Sequence, residues 1–69
     1  MEVKDSNGTL LNEGDTVIII KSLPVKGSAT GIKRGTVVKN IRLTGNDAEI
    51  EGKVDKVTMV LKTMFLKKA

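Results

Sequence analysis

Turn-forming residues recur about every ten positions along this chain, and they separate short segments that are rich in β-branched residues. β-Branched side chains are stiff at χ1 and favour strands over helices. Short strands at such regular spacing are typical of small barrels and meanders. The sequence therefore predicts one all-β domain over residues 1–69, a small SH3-like barrel of five to six short strands, since closure protects the strand edges.

Six segments fit this interpretation. An Asn7-Gly8 step, a strong hairpin signal, predicts pairing of the first two strands, and a β-branched run makes the third strand central. A bulge is expected near Lys39-Asn40, and Asp55-Lys56 closes a tight turn between the last two strands. The predicted strands are residues 3–4, 9–11, 16–21, 36–43, 48–54 and 57–66.

Period-two alternation predicts which side chains of the last three strands face the core. The expected inner residues are Val37, Ile41, Leu43, Ala48, Ile50, Val54, Val57, Met59, Leu61 and Phe65. Val60, Met64 and Leu66 have the opposite parity. If these three are exposed, they form an apolar patch suited to a protein partner or a homodimer, although structural packing is the simpler interpretation.

Positive charge is concentrated in one region. Residues 16–46 contain no acidic residue and six basic ones, Lys21, Lys26, Lys33, Arg34, Lys39 and Arg42. The whole chain has twelve basic and eight acidic residues, so this region contributes +6 and the remainder −2, to give +4. A regional positive field makes an anionic ligand or nucleic acid the first partner to test.

The absence of cysteine and histidine limits the metal sites and the catalytic reactions that this chain can support. Without cysteine there is no disulfide or thiolate metal site, and without histidine the commonest metal ligand and general base are absent. We therefore expect no enzyme activity, no metal and no cofactor. Phe65 is the single aromatic residue, so no stacking platform for single-stranded bases can form. No apolar run is long enough to span a bilayer, which predicts no membrane association and a cytoplasmic protein.

The chain opens with the segment Val3 to Gly8, and two further segments, Lys26-Gly27-Ser28 and Val38-Lys39-Asn40-Ile41-Arg42, follow it. With these residues, and above all with the last two segments, which fall at matching spacing, the chain resembles the PhnA protein family, which is named for the alkylphosphonate-uptake operon. The similarity covers nearly the whole sequence and is densest from Val3 to Leu43.

The sequence also differs from many members of this family. Many PhnA-like proteins carry an N-terminal zinc ribbon with paired Cys-x-x-Cys steps, and this chain resembles the domain that follows it, so zinc is not expected here. The family name invites confusion with phosphonoacetate hydrolase. A chain without histidine or cysteine lacks the usual ligands of that metal-dependent enzyme.

The preferred candidate site is the glycine-rich loop from Val25 to Gly35. Glycines let backbone amides converge on an anion, and nearby cations add charge. The predicted anion- or nucleic-acid-binding residues are Lys26, Ser28, Lys33, Arg34, Lys39 and Arg42. A basic strip that also includes Lys21 would follow a duplex backbone in a salt-dependent way. The simpler interpretation is that the glycines serve turns and the lysines solvate a loop.

Two other features carry weaker hypotheses. Glu49 and Glu51, with Asp47 nearby, form a carboxylate pair that could hold a cation, but Lys53 continues the same strand face and indicates ordinary solvation. The final strand, with its apolar residues, is the alternative site for a protein-protein interaction module.

Overall fold

The computed structural model describes residues 2–24 and 31–69, and these residues form an all-β structure of short antiparallel strands with one 3₁₀ turn. The strands are β1 (Val3–Lys4), β2 (Leu10–Leu11), β3 (Val17–Ile19), β4 (Val37–Val38), β5 (Arg42–Leu43), β6 (Glu49–Val54), β7 (Val57–Lys62) and β8 (Leu66–Lys68). The 3₁₀ turn spans Thr63–Phe65 and joins β7 to β8.

The strands are arranged in three small antiparallel sheets. β1 pairs with β2, β3 lies between β4 and β8, and β6 lies between β5 and β7. The predicted first hairpin is confirmed by the Val3↔Leu11 pairing, and the predicted central strand is confirmed by the position of β3. Asp55 and Lys56 both have positive φ, 51° and 67°, which confirms the tight turn between β6 and β7.

Two predicted strands are each split, so the six expected segments become eight strands. Segment 36–43 breaks after Val38, where Asn40 has a φ of 54° and the chain passes from one sheet to another. Segment 57–66 breaks at the 3₁₀ turn, which redirects the chain from β7 into β8. In both places the alternation of side chains restarts, because a break in the pleat resets which face a residue occupies.

The predicted parity is wrong at several positions, and these resets explain the two beside the breaks, Val37 and Leu66. Val37 is 51% exposed while Val38 is fully buried, and Val57 is 56% exposed. Ala48, expected inside, is exposed. Leu66, placed with the outward residues, is fully buried beside β3, so the expected patch keeps only Val60 and Met64. Phe65 is half-buried.

One apolar core connects the three sheets. Its buried members are Val3, Leu11, Val17, Ile19, Ile32, Val38, Ile41, Ile50, Val54, Leu61 and Leu66. Leu23, Leu43 and Met59 pack against it from half-buried positions. Nearly every strand contributes one or two side chains, so each short strand depends on its neighbours for stability.

Asp5 joins the N-terminal hairpin to the C-terminal strand. Its carboxylate accepts hydrogen bonds from the backbone N–H groups of Asn7 (2.9 Å), Thr9 (2.8 Å) and, at the far end of the chain, Lys68 (2.7 Å). Burial alone raises the pKa of this carboxyl. The N–H groups of Lys68, Thr9 and Asn7 and the charge of Lys68 act in the opposite direction, and the pKa lies below its ordinary value.

Candidate functional site

The six predicted site residues fall into three places. Lys26 and Ser28 lie outside the described residues. Lys33 and Arg34 are exposed in the turn that leads into β4, while Lys39 and Arg42 are exposed on either side of the break between β4 and β5.

The turn at Lys33 is held by its own backbone. The N–H and the hydroxyl of Thr36 both donate to the Lys33 carbonyl, at 3.1 and 2.6 Å, and the Gly35 N–H donates to Ile19 at 2.7 Å. The Arg34 N–H donates to the Ser22 hydroxyl at 3.3 Å. Three consecutive amides are therefore engaged within the protein, so this part of the loop offers an anion its side chains rather than its backbone.

Lys39 and Arg42 lie together in a recess that also contains Lys53. This basic recess has a volume of about 300 Å³ and is lined by Lys39, Asn40, Arg42, Glu51, Gly52, Lys53 and Thr58. Its walls are the β4–β5 break and the outer face of the β5-β6-β7 sheet, where Arg42 lies opposite Glu51 and Lys53 opposite Thr58.

Gly52 brings these two walls together. A Cβ at this position would lie 2.5 Å from the Cγ1 of Val38, closer than real Cβ atoms approach other heavy atoms. Because Gly52 has no side chain, β6 packs directly against the end of β4. Lys39 follows Val38 directly in the chain and lines the recess together with Lys53.

The recess has an excess of positive charge. Its three cations face one carboxylate, Glu51, which leaves a formal charge of +2. The ion pairs within 4.0 Å among residues 2–24 and 31–69 are Lys4–Glu2 and Lys68–Asp15, and neither lies in the recess. Lys39, Arg42 and Lys53 therefore make no close ion pair with a described residue.

Lys33 belongs to a smaller neighbouring recess of about 190 Å³. Gly31, Ile32, Lys33, Thr36, Val54 and Asp55 line it. Residues 51–53 of β6 line the basic recess and residues 54–55 line this one, so the two openings follow one another along the same strand. Lys21, a member of the predicted strip, lies elsewhere, with its Nζ 5.7 Å from the centre of the Phe65 ring.

Sequence reasoning missed Lys53 as a site residue. Its alternation with Glu49 and Glu51 indicates an exposed strand face, and Lys53 is indeed exposed. Its grouping with Lys39 and Arg42 follows from the packing of β6 against the β4–β5 break. No local sequence pattern reports that packing.

A second, apolar groove lies beside β7. It has a volume of about 540 Å³ and is lined by Leu23, Pro24, Ile32, Met59, Val60, Leu61, Lys62 and Phe65. Val60 is 53% exposed there. We refer to it as the β7 groove.

The described part of the chain brings together no group of three or more His, Cys, Asp or Glu residues that could hold a metal ion. Likewise, no helix in the described ranges has the length and apolar character needed to cross a membrane.

Comparison with known proteins gives one consistent result. A family model described as "YjdM: PhnA domain" matches residues 3–69. The protein YjdM of Escherichia coli K12 is 55% identical over 67 residues, which are 96% of this chain and 60% of that protein. A YjdM homolog of Haemophilus influenzae is 53% identical over 97% of this chain and 52% of its own length. Protein YjdM of Streptococcus mutans is 51% identical over 96% of this chain and 61% of its own length.

The chain thus spans about half to three fifths of the length of these relatives. The match includes β1 to β8 and every residue of the basic recess. The chain belongs to the YjdM family of PhnA-domain proteins.

Proposed function

We propose that this domain is a non-enzymatic binding module that holds an anionic ligand in the basic recess. The observation that supports this most directly is the convergence of Lys39, Arg42 and Lys53 in one opening with a formal charge of +2 and no close ion pair among the described residues. These three cations come from two separate parts of the chain, the β4–β5 break and β6, and line one recess.

The chemistry of the recess suits a phosphate or phosphonate group. Arg42 can present two parallel N–H donors to two oxygens of one tetrahedral anion, while Lys39 and Lys53 act as mobile point charges. Asn40 and Thr58 add neutral polar groups to the lining. A nucleic acid backbone presents the same phosphates in series, and exposed Lys33 and Arg34 would extend the contact along it.

The proposed scaffold is an SH3-like barrel. Its support is that the chain changes sheet at two corners, the β4–β5 break and the 3₁₀ turn. Backbone hydrogen bonds also join segments across the sheets, from Gly14 to Ile41 (2.8 Å) and from Ser6 to Leu66 (2.9 Å). Such corners are how short strands enclose one core.

The test is an amide-resolved NMR titration of labelled protein with inorganic phosphate, methylphosphonate, short duplex DNA and RNA, at two salt concentrations. We expect salt-sensitive shifts at residues 39–42, 51–53 and 58. Replacing Lys39 and Arg42 together by Gln should weaken binding at least tenfold. Shifts that are absent, or that lie outside the recess, contradict the proposal.

Lys67→Gln and Lys4→Gln together are the matched control. This variant also removes two charges, both exposed and both outside the recess. It should change affinity by no more than about twofold, because screening limits distant surface charges. Equal loss in the two double variants would mean that net charge, rather than the recess, binds the ligand.

The absence of catalysis is a separate part of the proposal, as is a cytoplasmic location. Both rest on composition, since zero histidine and zero cysteine remove the commonest catalytic groups and any disulfide. Incubation with a phosphonate and a panel of divalent metals should release no phosphate. Turnover that depends on a stoichiometric bound metal would contradict the non-enzymatic assignment.

A further inference from the structure

The backbone groups along the outer edge of β7 point away from the protein. In a two-residue hairpin the residues that flank the turn, here Val54 and Val57, form a hydrogen-bonded pair, and such pairs alternate along the ladder. The N–H and C=O groups of Val57, Met59 and Leu61 therefore face β6. The same alternation continues at Thr63, whose N–H donates to the Ala48 carbonyl at 3.0 Å.

Thr58, Val60 and Lys62 then direct their N–H and C=O groups to the free side of β7. This strand is the last in the order β5-β6-β7. Among the described residues, no backbone hydrogen bond outside the β6–β7 ladder involves any of these three. The edge is thus three residues long, regular and unpaired with any described segment, which is the geometry that accepts an additional strand.

The β7 groove runs beside this edge. On its other side lie Leu23 and Ile32, which are bridged to each other by N–H···O bonds of 2.8 Å in both directions, and Pro24. A guest is therefore confined between β7 and a second wall. A single extended segment meets this condition better than the edge of another folded sheet.

The charges around the groove indicate which extended segments it can bind. Its lining contains one charged side chain, Lys62, and Lys21 lies over the ring of Phe65 at its wall. No acidic residue belongs to the described lining. Glu49, which is opposite Lys62 on β6, makes no ion pair with it within 4.0 Å. The groove is thus apolar within and positive at its rim.

We propose that the β7 edge binds an extended segment of a partner polypeptide by antiparallel strand addition. Inner side chains of this guest are apolar and contact Leu23, Ile32 and Phe65. On the outer face, an acidic side chain lies opposite Lys62. This site is distinct from the basic recess, since the two linings share no residue, although Thr58 of the β7 edge also lines the recess. Shifts at Val60 and Lys62 therefore distinguish the two sites.

The test uses an acetylated, amidated peptide of alternating Glu and Val, and reads ¹⁵N shifts of the protein amides. Binding should shift the amides of Thr58, Val60 and Lys62 most. In an antiparallel pair the Glu residues, on the outer face, direct their N–H groups to β7, whereas the Val N–H groups point away. N-Methylation of the Glu residues should therefore weaken binding at least tenfold, and N-methylation of the Val residues should not.

The role of the Lys62 charge is tested by reversing the charge first of the peptide and then of residue 62. A peptide of alternating Lys and Val should bind more weakly than the Glu peptide, and the Lys62→Glu variant should reverse that preference. An unchanged preference in the variant contradicts the assigned role of Lys62. Failure of the Glu peptide to bind at millimolar concentration, or equal effects of the two N-methylated peptides, would overturn strand addition.

Amide exchange in the free protein is a second check that needs no ligand. Thr58, Val60 and Lys62 should exchange faster than Met59 and Leu61, whose N–H groups donate to β6. Equal protection of both sets would show that the edge is already covered, and the site would be lost.

Discussion

The edges of β8 and β5 are covered by carboxylates, whereas the edge of β7 has no such cover among the described residues. At β8, the Lys68 N–H donates to Asp5 at 2.7 Å and the Leu66 carbonyl accepts the Ser6 N–H at 2.9 Å. At β5, the Leu43 N–H donates to Glu13 at 2.7 Å. Distant side chains thus close two strand edges of this fold, and the proposed strand addition uses an edge that the described residues leave without such cover.

A carboxylate suits this task for a simple reason. It accepts the edge N–H, which would otherwise template another strand, and its charge and lack of donors discourage a further chain from pairing there. The side chains come from loops far away in sequence, since Asp5 reaches Lys68 across 63 positions and Glu13 reaches Leu43 across 30. Each cover therefore also acts as a long-range link within a small core.

The largest expected effect is that of Asp5→Ala, which opens the β8 edge. It leaves three backbone N–H groups, those of Asn7, Thr9 and Lys68, without their acceptor. We expect the free energy of unfolding to fall by about 2–4 kcal/mol, measured by urea denaturation.

Asp47→Ala is the matched control for Asp5→Ala. Asp47 is exposed in a turn and should cost less than about 0.5 kcal/mol. A loss at Asp5 no greater than that of the control would mean that its edge cover adds nothing to stability.

The β8 cover should also weaken in acid. The pKa of Asp5 is lowered in the folded state, so its stabilising contribution is fully present above the unfolded pKa of about 4 and is lost as pH falls through the folded pKa. The urea midpoint of the natural chain should therefore fall more steeply between about pH 5 and pH 2 than that of Asp5→Asn. Parallel curves would contradict the assigned pKa direction.

Local signals predicted the hairpins and the central strand correctly. Asn7-Gly8 and Asp55-Lys56 both lie in tight turns, and Gly8 and Asp55 are residue types that tolerate the positive φ found there. The β1–β2 and β6–β7 pairings therefore follow from short segments. The β-branched run around Val17–Ile19 likewise indicates a strand wherever it lies.

The edge covers and the basic recess could not be predicted in this way. The contact of Asp5 with Lys68 depends on β8 lying beside the N-terminal hairpin, and Leu66 is buried because the 3₁₀ turn resets the alternation. Lys53 joins Lys39 because Gly52 lets β6 pack on Val38. Each of these relations is tertiary, and period-two alternation describes only one strand at a time.

A smaller effect is expected at the β5 edge. Glu13 is exposed, so its hydrogen bond to Leu43 is partly replaced by water when Glu13 is changed to Ala. The expected cost is about 0.5–1 kcal/mol, with faster exchange of the Leu43 amide. Glu2→Ala is the control, since that exposed residue makes only a 3.8 Å ion pair with Lys4. Unchanged exchange at Leu43 would show that Glu13 does not cover this edge.

The smallest effect on stability is expected at β7, where Val60→Lys tests whether the uncovered edge serves recognition. Val60 is 53% exposed and Val37, on β4, is 51% exposed, so Val37→Lys is its matched control. Both should change the free energy of unfolding by less than about 0.5 kcal/mol. The Glu residues of the bound peptide lie on the same outer face as Val60, so Val60→Lys should strengthen binding of the Glu-Val peptide and Val37→Lys should not. Equal gain in both variants would trace the binding to general surface charge. A large loss of stability at Val60 would mean that this edge is structural, like those of β8 and β5, and the contrast between the edges would disappear.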